Sequence, residues 1–381
     1  SRENLIAAVK KIHEMGGIFT LSAHMPNFVT GGSFNDVSDD VVDKILPGGE
    51  YNSKFNEFLD NIALFANNLK DDNGNLIPIL FRPFHEQNGG WFWWGAKTTT
   101  PSQYIELYRY TVEYLRDKKG VHNILYVYSP NGPFNGNEEN YLVTYPGDNY
   151  VDVLGMDQYD NIDNPGTKQF LSSLVNDLSM ISKLADNIGK IATLSEFGYS
   201  PQGMKVTGNG DLSWFTDVLN AIKSNSNARR IAYMLTWANF GLNGNLFVPY
   251  KNAPNLGDHE LLPDFIKFYQ DPYTAFLNDI KGANLTTDVV VNAGKPFMHI
   301  VTPTDNSEIT TNTTKIRVRI LNDTPTKVVY KVNDSNEEIP MTLDQDGYYS
   351  QDWSPSYQDN GKTAKITVIA YNGDSIEFEQ S

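Results

Sequence analysis

The stretch that decides the fold and the function runs from Arg82 to Gly95 and reads RPFHEQNGGWFWWG. It follows an apolar run at residues 76–81 that indicates a buried strand. It places a basic residue, a histidine and a carboxylate together, and a turn and three tryptophans follow. So many indole rings in one loop indicate a surface on which something flat stacks. Sugar rings have flat apolar faces, and a neighbouring carboxyl group can protonate a glycosidic oxygen.

The overall composition limits the classes of partner. The chain has 381 residues, a net charge of −16 and a pI near 4.8. Nucleic acids and anionic membrane surfaces are unexpected partners because they bind clustered Lys and Arg, whereas a neutral polysaccharide is compatible with this charge. The sequence contains no cysteine, which excludes disulfides and thiolate metal sites. It shows neither a signal peptide nor a membrane-spanning stretch, so any export signal is expected to be removed or upstream.

Six strand-like runs alternate with helix-like stripes through the first two-thirds of the sequence. The runs lie at residues 18–23, 76–81, 124–128, 151–156, 191–194 and 231–236. Such alternation predicts a parallel sheet covered by helices. The candidate polar and aromatic residues follow the carboxyl ends of these runs, where a (β/α)₈ barrel carries its active site. No glycine-rich phosphate fingerprint follows the first run, which argues against a dinucleotide-binding fold.

The strand count falls short of a complete barrel, which has eight strands. The first two strands are therefore expected either on a separate chain or upstream, and the six-stranded part is not expected to stand alone because its edges would be unpaired. We predict an N-terminally incomplete (β/α)₈ TIM barrel that carries the candidate catalytic site at residues 1–283, and a linker at 284–296. Residues 297–381 alternate apolar and polar side chains between closely spaced turns, and predict a small all-β, immunoglobulin-like sandwich.

The stretch at 82–95 and the later motif SEFG at 195–198 together resemble glycoside hydrolase family 26. Most members of that family are endo-β-1,4-mannanases of the (β/α)₈ clan, and the resemblance covers roughly residues 5–245. It implies a retaining double displacement with Glu86 as the acid/base and Glu196 as the nucleophile. The two glutamates fall on the second and fifth of the six runs, three strands apart, as in this clan. No cofactor and no metal are implied.

The resemblance also places six residues beside the bound sugars: His24, His85, Trp91, Asp157, Tyr159 and Trp237. Stacking under the sugar at the cleavage point is favoured for Trp237, and the Tyr159 hydroxyl would orient the nucleophile. Arg82 is expected to hold a carboxylate rather than to touch substrate. His85 and Glu86 can both reach the cleft only if the strand twists or bulges, because adjacent strand residues point to opposite faces.

Several of these residues have a plainer explanation in packing or in different chemistry. Trp93 and Trp94 are equally well explained by core packing, and Trp353 is better explained by the core of the sandwich. A metal site built from histidines and carboxylates competes with the hydrolase hypothesis, but no HExxH or similarly close ligand spacing is present. Ala238 stands where some family members have an arginine that grips a distal sugar, and the resemblance does not extend to that contact.

The sequence therefore predicts a secreted or cell-surface endo-glycosidase that acts on mannan, glucomannan or galactomannan. A β-1,3-1,4-glucanase or a β-1,3-xylanase is the alternative within the enzyme class. A non-catalytic carbohydrate-binding protein is the alternative from another class, and the presence of both glutamates argues against it. The sandwich either binds polysaccharide or only packs against the barrel, and the sequence leaves both possibilities open.

Overall fold

Six parallel strands form the sheet that carries the candidate site. The computed structural model describes residues 2–242, 244–283, 294–356 and 359–381. The strands are β1 (Phe19–Ala23), β2 (Ile79–Pro83), β3 (Ile124–Tyr128), β4 (Val153–Tyr159), β5 (Ile191–Gly198) and β6 (Met234–Thr236). Each strand pairs in parallel with the next along the chain, so the sheet order equals the sequence order. The six predicted strands and their parallel arrangement are confirmed.

Helices connect the strands and cover one face of the sheet. They are α1 (Arg2–Glu14), α2 (Val42–Ile45), α3 (Asn52–Asn68), α4 (Pro101–Glu113), α5 (Glu138–Leu142), α6 (Lys168–Ile188), α7 (Trp214–Ser224), α8 (Leu262–Gln270) and α9 (Leu277–Ile280). The longer helices follow their apolar stripes, as in α3, which buries Phe55, Leu59 and Ile62. Across the described ranges, no helix combines the length and apolarity that crossing a bilayer requires.

The two faces of the sheet pack very differently. Ile79 and Phe81 of β2 belong to the large core beneath the helices. Leu80 points the other way, because strand residues alternate, and joins Val127 and Val153 in a small second cluster. In a closed barrel this second face would be the packed interior. Its small size here is the consequence of an incomplete barrel.

The sheet is open at β1 and at β6. Among the described residues no strand pairs with the outer side of either one. Leu235, in the middle of β6, is consequently 39% exposed. The prediction of six strands is thus confirmed, and the described residues form an open, barrel-like sheet with six of the eight strands of a complete barrel.

The C-terminal region is a sandwich of two four-stranded antiparallel sheets, ordered β10-β9-β13-β14 and β11-β12-β8-β7. Its strands are β7 (Phe297–Thr302), β8 (Thr314–Leu321), β9 (Lys327–Val332), β10 (Ile339–Pro340), β11 (Thr342–Leu343), β12 (Tyr349–Trp353), β13 (Ile366–Asn372) and β14 (Ser375–Gln380). Trp353 packs against the sandwich core, as favoured from the sequence. The predicted sandwich is confirmed. Most of the predicted linker, residues 284–293, lies outside the described residues, and the domain bounds stay predictions.

Candidate active site

Two glutamates meet at the carboxyl end of the sheet. Glu86 lies three residues after the end of β2. Glu196 lies near the carboxyl end of β5, which ends at Gly198. One carboxyl oxygen from each of Glu86, Asp157 and Glu196 lies within 4.8 Å of the other two. Residues far apart in the chain are thus brought together at the strand ends, where the sequence places the site.

The backbone after β2 explains how Glu86 enters the cleft. Phe84 and Glu86 have φ angles of +52° and +53°, a left-handed conformation that is uncommon for residues other than glycine. The strand alternation therefore breaks, as required if His85 and Glu86 are both to face the site. Two contacts hold this turn: the Glu86 amide donates to the Ser129 carbonyl at 2.8 Å, and the Tyr104 hydroxyl donates to the Phe84 carbonyl at 3.0 Å.

Irregular pairing of β4, β5 and β6 changes the direction of the side chains opposite Glu86. The pairing of these two strands shifts between Met156 and Asp157, and the pairing of β5 with β6 shifts between Leu194 and Phe197. Such bulges change the direction of neighbouring side chains. The adjacent residues Ser195 and Glu196 consequently join the same hydrogen-bonded cluster.

Arg82 connects the carboxylates of this cluster. It is buried, and its Nη1 donates to Asp157 Oδ2 at 2.9 Å while its Nη2 donates to Glu196 Oε1. Its Nε donates to the Ser22 hydroxyl at 3.0 Å. Burial disfavours the charged guanidinium, but Asp157 and Glu196 outweigh this effect and raise the pKa of Arg82. These contacts support the expectation that Arg82 holds carboxylates rather than substrate.

Asp157 lies in the buried part of the carboxylate cluster. Its side chain is fully buried and accepts hydrogen bonds from Arg82, from the Ser129 hydroxyl at 2.8 Å and from the Ser195 hydroxyl at 2.8 Å. Its predicted place beside the bound sugars stays a prediction, and both of its carboxylate oxygens already accept hydrogen bonds from the protein. Burial raises the pKa of Asp157, Arg82 opposes the rise, and the charge of Glu196 adds to it.

The two glutamates have different surroundings. Burial, followed by the charges of Asp157 and Glu196, raises the pKa of Glu86 to about 8. The indole N–H of Trp91 donates to Glu86 Oε2 at 2.8 Å, and Trp91 itself is 42% exposed. Glu196 accepts from Arg82 and, at 2.6 Å, from the Tyr159 hydroxyl. Glu86 is therefore suited to be an acid and Glu196 a nucleophile.

Two neighbouring histidines lie close to Trp237, the residue that follows β6. The ring centroids of His24 and His85 are 4.9 Å apart, and those of His24 and Trp237 are 6.2 Å apart. Burial lowers the pKa of both histidines, with Arg82 adding to the effect, so both rings are neutral near pH 7. His85 is buried, yet its Nδ1 has no partner among the described residues, which differs from a satisfied core histidine.

The remaining tryptophans of the motif belong to the core. Trp93 and Trp94 are fully buried, and their indole nitrogens donate to the carbonyls of Met25 at 2.9 Å and His85 at 2.8 Å. They support the floor of the site from below. Only Trp91 of the three is exposed enough to offer a ring face to a ligand.

Sequence reasoning missed three residues of this region. Phe240 is 68% exposed, and its ring centroid lies 6.0 Å from that of Trp237, so it extends the aromatic surface. Phe240 follows Trp237 closely in the loop after β6, and this closeness in the sequence could have been used to predict that it lies near the site. Ser129 and Ser195 lie under Asp157 with their hydroxyl oxygens 2.7 Å apart. Serines are too common for their type alone to mark them.

The three clustered carboxylates are also the groups in the described chain that could offer ligands to a metal ion. Arg82 already donates to Asp157 and to Glu196. A cation at the centre of the cluster would have to compete with this guanidinium. The donor set therefore fits acid–base and nucleophilic chemistry better than metal binding.

Comparisons with known proteins agree with this geometry. The model of "Glycosyl hydrolase family 26" matches residues 2–241, and that of "Bacterial Ig domain" matches residues 296–368. A "Mannan endo-1,4-beta-mannosidase" of Bifidobacterium adolescentis is 40% identical over 373 residues, which cover 96% of this chain and 35% of that protein. This chain thus spans about a third of that relative's length.

Solved structures give the same result. A modular endo-β-1,4-mannanase from Cellulomonas fimi matches with a TM-score of 0.88 and 41% identity, over 99% of this chain and 79% of that one. The catalytic domain of an endo-β-1,4-mannanase from Bacillus sp. JAMB-750 matches with a TM-score of 0.73 and 60% identity, over 74% and 73%. With the family model covering more than half of the residues and both glutamates at the expected strand ends, this chain belongs to glycosyl hydrolase family 26.

Proposed function

We propose that this chain hydrolyses β-1,4-mannosidic bonds by a retaining double displacement. The observation that carries the proposal is the approach of Glu86 and Glu196, whose nearest oxygens lie within 4.8 Å. Retaining glycosidases hold their two carboxyl groups about 5–5.5 Å apart, whereas inverting enzymes leave a gap of roughly 6.5–9.5 Å for a water molecule. The separation supports a direct attack by one carboxylate.

In the first step Glu196 attacks the anomeric carbon. The glycosidic C–O bond breaks, and the proton of Glu86 moves to the departing oxygen. Arg82 and Tyr159 hold one oxygen each of the Glu196 carboxylate, so the side chain is oriented before the sugar arrives. The product of this step is a glycosyl ester of Glu196 with Glu86 ionised.

In the second step Glu86 acts as the base. Esterification removes the charge of Glu196, which is one of the causes of the high pKa of Glu86, so that pKa falls. A water molecule then gives its proton to Glu86 and attacks the anomeric carbon. The ester bond breaks, and the Glu196 carboxylate is restored.

The substrate assignment rests on the relatives and on the shape of the surface. The Bifidobacterium and Cellulomonas proteins are named as mannan-cleaving endo-enzymes. The exposed rings of Trp91 and Phe240, together with the partly exposed Trp237, suit the stacking of sugar units. Mannan, glucomannan and galactomannan are polymers too large to enter a cell, so we place the activity outside it.

The open sheet bears on the active form of the protein. We propose that two strands from outside the described residues pair with β1 and β6 and close the barrel, either from a separate chain or from the same one. Closing the barrel would cover the small cluster formed by Leu80, Val127 and Val153.

Two substitutions test the assignment together. Glu196→Gln should lower mannan hydrolysis by more than about 10³-fold, because the nucleophile is lost. Glu86→Gln should abolish mannan cleavage equally but retain the first step on an aryl β-mannoside with a good leaving group, which needs no protonation. Near-wild-type mannan hydrolysis by Glu196→Gln would reject the proposal.

The alternatives are separated by substrate. Reducing-sugar release and product sizing on mannan, lichenan and β-1,3-xylan distinguish a mannanase from a glucanase or a xylanase. A non-catalytic binding protein would migrate more slowly in a gel that contains mannan, and it would form no product from the mannan. Product formation that depends on Glu196 excludes the binding-only function.

A further inference from the structure

We propose that the C-terminal sandwich is a brace for helix α4 and, through it, for the catalytic segment at residues 84–99, with His299 as its central contact. The family assignment leaves the role of this sandwich open. The stability part of the proposal is independent of the proposed function, and only its activity part rests on it.

The contact begins at β7, whose His299 is 0% exposed. Its Nδ1 lies 2.8 Å from Glu106 Oε2, and its Nε2 lies 2.9 Å from Glu113 Oε1. Both glutamates belong to α4 and are separated by two helical turns, so they share one face of the helix. One buried ring of the sandwich thus bridges two buried carboxyl groups of the sheet domain.

This geometry requires a charged imidazole. A neutral ring has one N–H and one lone pair, and that lone pair would face a carboxylate, whereas an imidazolium donates from both nitrogens. Burial opposes the charge, but Glu106 and Glu113 outweigh burial and raise the pKa of His299 from 6.5 to about 9. The same contact contributes to lowering the pKa of Glu106 against the effect of burial.

Other charged groups surround the ring and the two glutamates. Arg109 Nη1 donates to Glu106 Oε1 at 2.7 Å, and its guanidinium lies 5.0 Å from the ring centroid of Phe297. Arg319 of β8 approaches Glu113 Oε2 at 3.7 Å. The titratable groups that complete the surroundings are Tyr150, Arg116, Asp117 and Tyr348. A deprotonated His299 would therefore still face two carboxylates.

Further hydrogen bonds connect the sandwich to the start of α4. The Ser102 hydroxyl donates to the Asp305 carbonyl at 2.9 Å. The Thr304 hydroxyl donates to Asp43 Oδ1 at 3.1 Å, and the other Asp43 oxygen accepts from Gln103 of α4 at 2.9 Å. The sandwich thus contacts both ends of the helix face.

Helix α4 in turn supports the catalytic turn. Its Tyr104 hydroxyl donates to the carbonyl of Phe84. Phe84 and Glu86 have left-handed backbone conformations, which persist only where the surrounding structure holds them. A helix fixed by the sandwich is such a surrounding, and this links the accessory domain to the position of the acid/base.

The decisive experiment compares His299→Gln with wild type in the full chain, with Thr304→Val as the matched control. Because the pKa of His299 is raised on folding, its contribution is complete below pH 6.5 and is lost as the pH rises through about 9. The Tm of His299→Gln should lie roughly 5 °C or more below wild type at pH 6. The difference should close by pH 9.5, whereas Thr304→Val should differ from wild type by the same small amount at both values.

The activity part is read from kcat and KM on soluble mannan at pH 6. His299→Gln should lower kcat several-fold with KM nearly unchanged, because the cleft surface is untouched while Glu86 is less well held. If His299→Gln does not fold, Glu113→Gln serves instead, and its loss of stability with rising pH should be smaller and should be complete at a lower pH than in wild type. A pH-independent Tm difference, or an unchanged kcat in the folded variant, would overturn the brace.

Discussion

A single guanidinium organises the charges of the candidate site. Arg82 donates to Asp157 and to Glu196, whereas Glu86 receives the indole N–H of Trp91. Two side chains of the same type therefore have different hydrogen-bond partners. The roles that we propose for them rest on this difference rather than on the residue type.

The first prediction at this scale concerns the alkaline limit of activity. With the pKa of Glu86 at about 8, kcat/KM for mannan should fall above that pH because the acid loses its proton. Trp91→Phe removes a hydrogen bond that favours the ionised form, so the alkaline limit should move to higher pH. Trp237→Phe, which leaves the Glu86 contact in place, is the control. A pH profile in which both variants keep the wild-type limit would contradict the role of Trp91.

The second prediction concerns the serines below Asp157. Ser195→Ala removes a hydrogen bond to Asp157, which should raise the pKa of that carboxyl further and reduce its charge. Because the charge of Asp157 helps to raise the pKa of Glu86, the alkaline limit should move to lower pH. Ser22→Ala removes a hydroxyl that contacts Arg82 and not Asp157, so the alkaline limit of activity of this variant should equal that of wild type. Equal pH profiles for the two variants would disprove the coupling.

At the scale of elements, α4 connects the catalytic segment to the rest of the fold. The helix starts with a capping box in which Thr100 accepts from the Gln103 amide and Gln103 Oε1 accepts from the Thr100 amide at 2.9 Å. Pro101 occupies the first helical position, where its missing N–H has no consequence. The end of the catalytic segment is thereby fixed by residues that the sequence places next to it.

Thr100→Ala should lower the free energy of unfolding by about 1 kcal/mol, because one helix N-terminus loses its cap. Thr167→Ala removes the comparable cap of α6 and is the matched control. Urea unfolding should give similar losses for both variants, while kcat should fall more in Thr100→Ala, whose helix adjoins the catalytic segment. A larger loss of kcat in Thr167→Ala would count against this function of α4.

At the scale of the whole molecule, the two open edges of the sheet are the feature that we expect to control association. Strands β1 and β6 present unpaired backbone groups on their outer sides within the described chain. Such edges are templates for pairing with another chain. The two further strands that we propose would remove these edges and complete the second face of the sheet.

In its absence the chain should self-associate as concentration rises, which sedimentation velocity measures directly. Leu235→Lys places a charge in the exposed edge strand β6 and should increase the monomer fraction. Leu212→Lys, at an exposed loop position, should leave the distribution unchanged. Equal effects of the two substitutions would show that net charge rather than the edge controls association.

Local patterns carried much of the fold prediction. The six parallel strands and the major helices were predictable because apolar periodicity is a local property of the sequence. Glu86 and Glu196 were predictable as a pair because strand ends of a parallel sheet meet on one side. Strand β7 was not predicted from the sequence. The residues around His299 in the sequence also give no indication that its partners are two carboxylates on a distant helix.

The sequence alone was therefore sufficient to predict the order of the six strands and their helices, the sandwich that follows, and the two glutamates with the aromatic residues around them. Only the tertiary structure decided that Asp157 is buried beneath Arg82 and that His299 ties the sandwich to α4. The reason is physical. Periodicity and motifs act along the chain, whereas burial, proton affinity and the distance between charges depend on which distant segments come to lie side by side.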